Sequence, residues 1–335
     1  MSSLLQASLL LIALFLACSQ VQADTLPIIG ILSIPSEIPG YPADSWSYSP
    51  SSYAKNFESG GAQVVPLQYD MPQDRLKSLL NRLNGVVFHG GDADMIDAHG
   101  NLTPLGETMD FIVKYVIEQN KNGNYYPIWG TCMGFQGLAC LIQGNWSILT
   151  NDCVGCAGVN HNNYFDESYQ SKLYAGLPQD LREAMPTANI SVFSHVWDFH
   201  WDTFLNSAPL NQILKPVTYA FDNTGLKYVS SYESPSWPIY ATQFHQEKST
   251  YEWNSGYEIN HGPQAVRLQQ YLADFFVNEA RKNTNTFPDV QGYLIDNYQV
   301  KIIPSVVFSS VYLFPTIIHH ESTQKIQKPL FLHSK

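Results

Sequence analysis

Residues Tyr126–Leu138 read YPIWGTCMGFQGL: a cysteine between two glycines, after a short apolar run and before a segment with helical spacing. Gly130-Thr131-Cys132-Met133-Gly134 has the pattern G-x-C-x-G, the cysteine form of the nucleophile elbow, where a strand turns abruptly into a helix and the middle residue is strained. Small neighbours let such a turn close. At the helix N-terminus the dipole and the free N–H groups favour a thiolate, and the Met133 N–H is left to face a developing oxyanion. A buried structural cysteine needs no such punctuation, so Cys132 reads as a nucleophile.

Outward from this turn the chain alternates strand and helix signals. PIIGIL (27–32) is followed by a helix near Ser49–Glu58 that stops at Gly60-Gly61. QVVPLQ (63–68) precedes a helix with Leu76, Leu79, Leu80 and Leu83 on one face, and then GVVFH (85–89). A third helix near Thr103–Gln119 leads into YYPIW and the cysteine turn. This alternation predicts an α/β fold with a mostly parallel, flavodoxin-like sheet covered by helices on both faces. Beyond residue 185, KPVTYAF (215–221) and LKYVSSYE (226–233) flank Asp222-Asn-Thr-Gly225, a hairpin signature that predicts an antiparallel extension. WPIYATQFH (237–245) and an amphipathic helix near Pro263–Arg281 complete a single domain over 24–287. Residues 288–335 form an extension with one or two strands between Ile302 and Ile318, since Pro304 and Pro315 interrupt the apolar run and disfavour a membrane anchor. Little order is expected beyond His319.

At 335 residues and 44% hydrophobic the chain can bury a large core. Its first 23 residues carry an apolar stretch, Leu9–Ala17, then Val21-Gln22-Ala23, which reads as a signal peptide cleaved before Asp24. Sequons at Asn101, Asn145 and Asn189 agree with a secretory route, as candidate glycosylation sites. A formal charge of −11 without a basic block excludes nucleic acid or an anionic membrane as the main partner. Cys153 and Cys156 form a lone C-x-x-C, read as a local disulfide or two unpaired thiols rather than a zinc site.

A thiolate nucleophile needs a second oxyanion donor and an acid/base. Gly90-Gly91, directly after the GVVFH strand, supplies the donor, with the Gly91 N–H as candidate. His245 ends a strand, and Glu247 two residues on shares its side of an extended chain, so Glu247 can orient the imidazole. His161, His319 and His320 lie in polar segments and read as surface residues. His195 and His200 flank Asp198, but without the helical spacing of a metal motif, so no metal site is assigned. Asp92 and Asp94 read as loop carboxylates.

Together PIIGIL, GVVFHGGD, YPIWGTCMGF, FHQEKSTYEW and YLADFFVNEARKN resemble, in order and spacing, the γ-glutamyl hydrolases. These are cysteine peptidases of the class I glutamine-amidotransferase type that cleave folate poly-γ-glutamates. The resemblance covers about Pro27 to Phe287. It implies a nucleophile at Cys132, a histidine acid/base at His245, and a substrate contact at His195 within the H-x-W segment His195-Val196-Trp197. Gly90 and Gln136 are further substrate-binding candidates. It also implies no cofactor, a setting outside the cell or in a lysosome or vacuole lumen, and a family in which homodimers are common. Two departures stand out: the usual H-P-E is His245-Gln246-Glu247, and Gln136 replaces a glutamate that many relatives carry. A polyanionic substrate on an acidic protein calls for a local cationic pocket, with Lys248 and Arg267 as contributors. Trp197, Tyr251 and Trp253 pack at the rim or core, or against a pterin or benzoate ring. Two alternatives remain: a glutaminase subunit feeding ammonia to a synthetase, and a catalytically impaired γ-glutamyl-binding protein.

Overall fold

The computed structural model describes residues 26–253, 256–303 and 307–317. The expected signal peptide, His319, His320 and the tail beyond lie outside these residues. In chain order the elements begin with β1 (Ile28–Leu32), β2 (Ile34–Pro35), β3 (Trp46–Pro50), α1 (Ser51–Ser59) and β4 (Gln63–Leu67). Next come α2 (Gln73–Leu80), β5 (Gly85–Phe88), α3 (Pro104–Lys121), β6 (Ile128–Thr131) and α4 (Met133–Gln143). The middle of the chain forms β7 (Ala157–His161), β8 (Tyr164–Phe165), α5 (Gln179–Ala184), β9 (Ser191–Ser194), α6 (Trp201–Asn206) and α7 (Ala208–Ile213). It ends with β10 (Lys215–Phe221), β11 (Lys227–Glu233), β12 (Ile239–Thr242), α8 (Lys248–Tyr251), α9 (Pro263–Ala280), β13 (Val300–Ile302) and β14 (Ser310–Pro315).

The central sheet runs β4-β1-β5-β6-β12-β11-β10-β8. Its parallel part, β4-β1-β5-β6-β12, is the flavodoxin-like 2-1-3-4-5 order counted along the parallel strands alone. β1, β5, β6 and β12 are buried along their whole length, as strands covered on both faces must be. α1 packs on α9, and α3 on α4. β11, β10 and β8 add the antiparallel extension, with the hairpin closed at Asp222: its carboxylate accepts N–H bonds from Thr224 and Leu226, both at 2.8 Å.

A second sheet, β13-β14-β3-β2, was only half expected. The strands after residue 300 are present, but their partner β3 reads WSYSP in sequence and carries no clear strand alternation. The predicted first helix accordingly starts later, at Ser51, because Trp46–Pro50 pairs with Ser310–Pro315. Among the described residues no helix is long and apolar enough to cross a membrane.

Parallel strands all end on the same edge, and that edge places the site. The register pairs Phe88 with Gly130 and Thr131 with Thr242, so the segments after β5, β6 and β12 emerge side by side. They carry Gly90-Gly91, Cys132 and His245.

Candidate active site

Cys132 is one of two non-glycine residues with positive φ among the described residues, at φ 54° and ψ −112°. That conformation is costly for a residue with a Cβ and persists where its surroundings enforce it. The flanking glycines show how. A Cβ on Gly130 would lie 2.7 Å from the Gly134 carbonyl oxygen, and one on Gly134 would lie 2.2 Å from that of Phe88. The Cys132 N–H is held by the Thr242 carbonyl at 2.9 Å. Met133 begins α4, so its N–H has no acceptor within the helix.

His245 is buried, and its Nδ1 lies 2.8 Å from Glu247 Oε1, also buried. Since a carboxylate accepts, Nδ1 carries the hydrogen, and among the described residues Nε2 has no hydrogen-bond partner, which leaves it for chemistry with Cys132. Burial lowers the imidazole pKa, but the Glu247 carboxylate and the Cys132 charge outweigh it and raise it to about 9. Glu247 is shifted the other way: burial raises it, yet His245 holds it below its usual value. This is a buried ion pair. Gly90 separates the reacting groups, since a Cβ there would be 2.9 Å from His245 Cε1 and 3.0 Å from Cys132 Cβ.

Two site residues were missed by the sequence reading. Tyr53, fully buried on α1, accepts the Gly90 N–H at 3.0 Å, and its hydroxyl is 3.1 Å from His245 Nδ1. Burial and the negative charges of Glu247 and Cys132 push the phenol well above its usual range, so it keeps its proton. His89, directly after β5, is buried with Nδ1 2.6 Å from the Gly90 carbonyl. Burial lowers its pKa to about 4 against the raising effect of that carbonyl, and the ring is neutral. Tyr53 carries no local motif, whereas His89 stands directly before the glycine turn, a signal that could have been read.

A cavity of about 510 Å³ opens over Cys132, Met133 and His245. His195 lines it, with Nδ1 3.0 Å from the Trp197 carbonyl and Nε2 buried without a partner among the described residues. Burial lowers its pKa to about 3, so His195 is a neutral imidazole offering an Nε2 lone pair. Gln136 is buried beside it, its amide donating to the Trp197 carbonyl at 2.8 Å and to Gln243 Oε1 at 3.1 Å. Two acceptors face that amide, which suits glutamine. Gln246 accepts from the Thr242 hydroxyl at 2.8 Å, so this replacement is tied into the end of β12.

Other expectations are corrected. His161 is not a surface residue: it is half-buried on β7, against Phe193, with Nδ1 3.2 Å from the Tyr228 hydroxyl. Arg267 is exposed and paired with Asp180, away from the cavity wall. Lys248 is fully buried behind that wall, donating to the Val307 carbonyl at 2.7 Å, with its Nζ over the Phe308 and Tyr257 rings. Trp197 lines the cavity; Trp253 is instead exposed and stacked on His261. Asp92 and Asp94 are loop residues as expected, and with Glu37 they also line the cavity. Cys153 and Cys156 are joined as a disulfide. His200 pairs with exposed Asp152 at 2.9 Å and lies 3.8 Å from Asp198. Asn101, Asn145 and Asn189 are all exposed.

A family model described as Peptidase C26 matches residues 27–247. Gamma-glutamyl hydrolase B of Dictyostelium discoideum is 31% identical over 305 residues, covering 90% of this chain and 85% of that protein. The human gamma-glutamyl hydrolase is 31% identical over 274 residues, covering 81% and 84%. An Arabidopsis thaliana protein named probable gamma-glutamyl hydrolase 3 is 31% identical over 287 residues, covering 82% and 79%.

Proposed function

The chain belongs to the peptidase C26 family, and on that premise we propose that it is a cysteine-dependent γ-glutamyl hydrolase acting on folate poly-γ-glutamates and their antifolate counterparts. What carries this is the strained Cys132, which lines the cavity together with His245, the imidazole being paired with the buried Glu247. The Cys132 thiolate attacks the γ-carbonyl carbon, and the carbonyl oxygen becomes an oxyanion held by the Gly91 and Met133 N–H groups. As the C–N bond breaks, the His245 imidazolium gives its proton to the leaving nitrogen, and a γ-glutamyl thioester remains on Cys132. His245, now neutral, takes a proton from water as the water attacks the thioester. The Cys132–acyl bond breaks, glutamyl acid leaves, and the thiolate–imidazolium pair is restored.

His195 Nε2 accepts a hydrogen bond from a substrate N–H, since its own Nδ1–H is committed to Trp197. Glu37, Asp92 and Asp94 make their side of the cavity acidic, which directs the substrate's glutamyl carboxylates away from it. The disulfide and the three exposed sequons support export, with the first 23 residues as a cleaved signal and the lysosome, vacuole or extracellular space as destination. A homodimer is part of the same reading by family resemblance.

Incubating the purified protein with pteroyl-penta-γ-glutamate and separating the products tests this. Shorter folates are expected, and their pattern distinguishes internal from terminal cleavage. Absence of any shorter folate across the acid-to-neutral range would refute the hydrolase.

A further inference from the structure

The reaction above needs the Gly91 N–H to point into the cavity, and the only side-chain hydrogen bond to that peptide unit given by the described residues comes from His89. The Gly90 carbonyl and the Gly91 N–H belong to one trans peptide, so they point in opposite directions, and fixing one fixes the other. A carbonyl can only accept, so the 2.6 Å contact makes His89 Nδ1 the donor and fixes the ring as the Nδ1–H tautomer. The ring cannot swing away, being fully buried with the Tyr53 ring 5.3 Å and the Tyr48 ring 6.3 Å from its centre. On the other side of Gly90, the Gly90 N–H is already given to Tyr53, which also meets His245. Both peptides flanking Gly90 are therefore held, and Gly91, on the cavity wall, presents the next N–H.

We propose that His89 is a positioning residue for oxyanion stabilisation: its Nδ1–H clamps the Gly90 carbonyl, aims the Gly91 N–H at the developing oxyanion, and polarises that peptide so that the N–H donates more strongly. The polarisation follows because a hydrogen bond at one end of an amide strengthens the one at the other. The inference rests on the hydrolase reading for its chemistry but not for its geometry. No proton leaves His89 during turnover, so it acts through the peptide and not on substrate.

Kinetics, inhibitor affinity, thiol labelling, a second variant and NMR test it. In His89→Leu, kcat should fall about 10–100-fold, less than the roughly 10²–10³-fold that losing a whole oxyanion donor costs, with KM within about twofold because ground-state binding is untouched. The affinity of a γ-glutamyl aldehyde, which adds to Cys132 and builds an oxyanion, should fall by the same factor as kcat/KM. Alkylation of Cys132 by iodoacetamide builds no oxyanion and should proceed at the wild-type rate. His89→Asn places an amide N–H where Nδ1–H was and should recover most of the loss. Equal impairment of the Leu and Asn variants, or an aldehyde affinity that does not change in His89→Leu, would overturn the proposal. Nitrogen NMR of the wild-type imidazoles needs no variant: the Nδ1–H tautomer of His89 is expected throughout the active pH range, and the Nε2–H tautomer would overturn the clamp. A protein that passes these tests yet does not shorten pteroyl-penta-γ-glutamate would contradict the substrate assignment alone.

Discussion

At the residue scale, the chemistry depends on charge held out of water. His245 stays protonated to about pH 9 because Glu247 and the Cys132 charge oppose the cost of burial. In the proposed reaction the protonated form delivers a proton to the leaving nitrogen, so kcat/KM should hold through neutrality and fall as the pH rises through about 9. Glu247→Gln removes the largest opposing charge, and the alkaline limb should move down by a measurable amount. Its kcat/KM should also fall, though by less than the roughly 10²–10⁴-fold that acid–base catalysis supplies, since His245 remains. A pH profile unchanged in Glu247→Gln would remove the carboxylate from this role. Cys132, His245, Glu247 and Gly91 were legible because each carries a local signature: two glycines around a thiol, H-x-E, a glycine pair after a strand. Tyr53 and His89 were not assigned, since their roles come from contacts 192 residues apart in one case and from a backbone carbonyl in the other.

At the element scale, the elbow depends on how closely β6, β5 and α4 approach. Gly134 sits where a Cβ would fall 2.2 Å from the Phe88 carbonyl oxygen, and that oxygen is backbone at the end of a buried strand. Gly134→Ala should therefore cost stability at the upper end of the roughly 1–3 kcal/mol typical of overpacking, and displace Cys132 relative to His245. Denaturant melts and iodoacetamide labelling check both effects together; wild-type stability and labelling would show that the elbow tolerates a Cβ. Among the elements, the buried parallel strands were legible from unbroken apolar runs such as PIIGIL and GVVF. β3 and the short pair β7 and β9 were not, because polar strands that depend on distant partners have no period of their own.

At the scale of the whole molecule, residues between β13 and β14 complete the site. β14 buries Val311, Tyr312, Leu313 and Phe314 and pairs with β3, while Ile303, Val307 and Phe308 line the cavity over Cys132. The buried Lys248 ammonium donates to the Val307 carbonyl, so the same segment satisfies a charge behind the wall. Ending the chain after Tyr298 should lower the melting temperature by several degrees and raise KM for the polyglutamate; a truncated protein that melts and binds as the full chain does would show the segment to be dispensable. The five parallel strands and their helices set three segments side by side, and the cavity, the proposed oxyanion donors and the ion pair all converge on one sulfur atom. Cys132→Ala assayed with pteroyl-penta-γ-glutamate tests that convergence most directly. The account predicts that the folded variant binds the substrate and releases no shorter folate, while the wild-type protein does; cleavage by Cys132→Ala at the wild-type rate would contradict it.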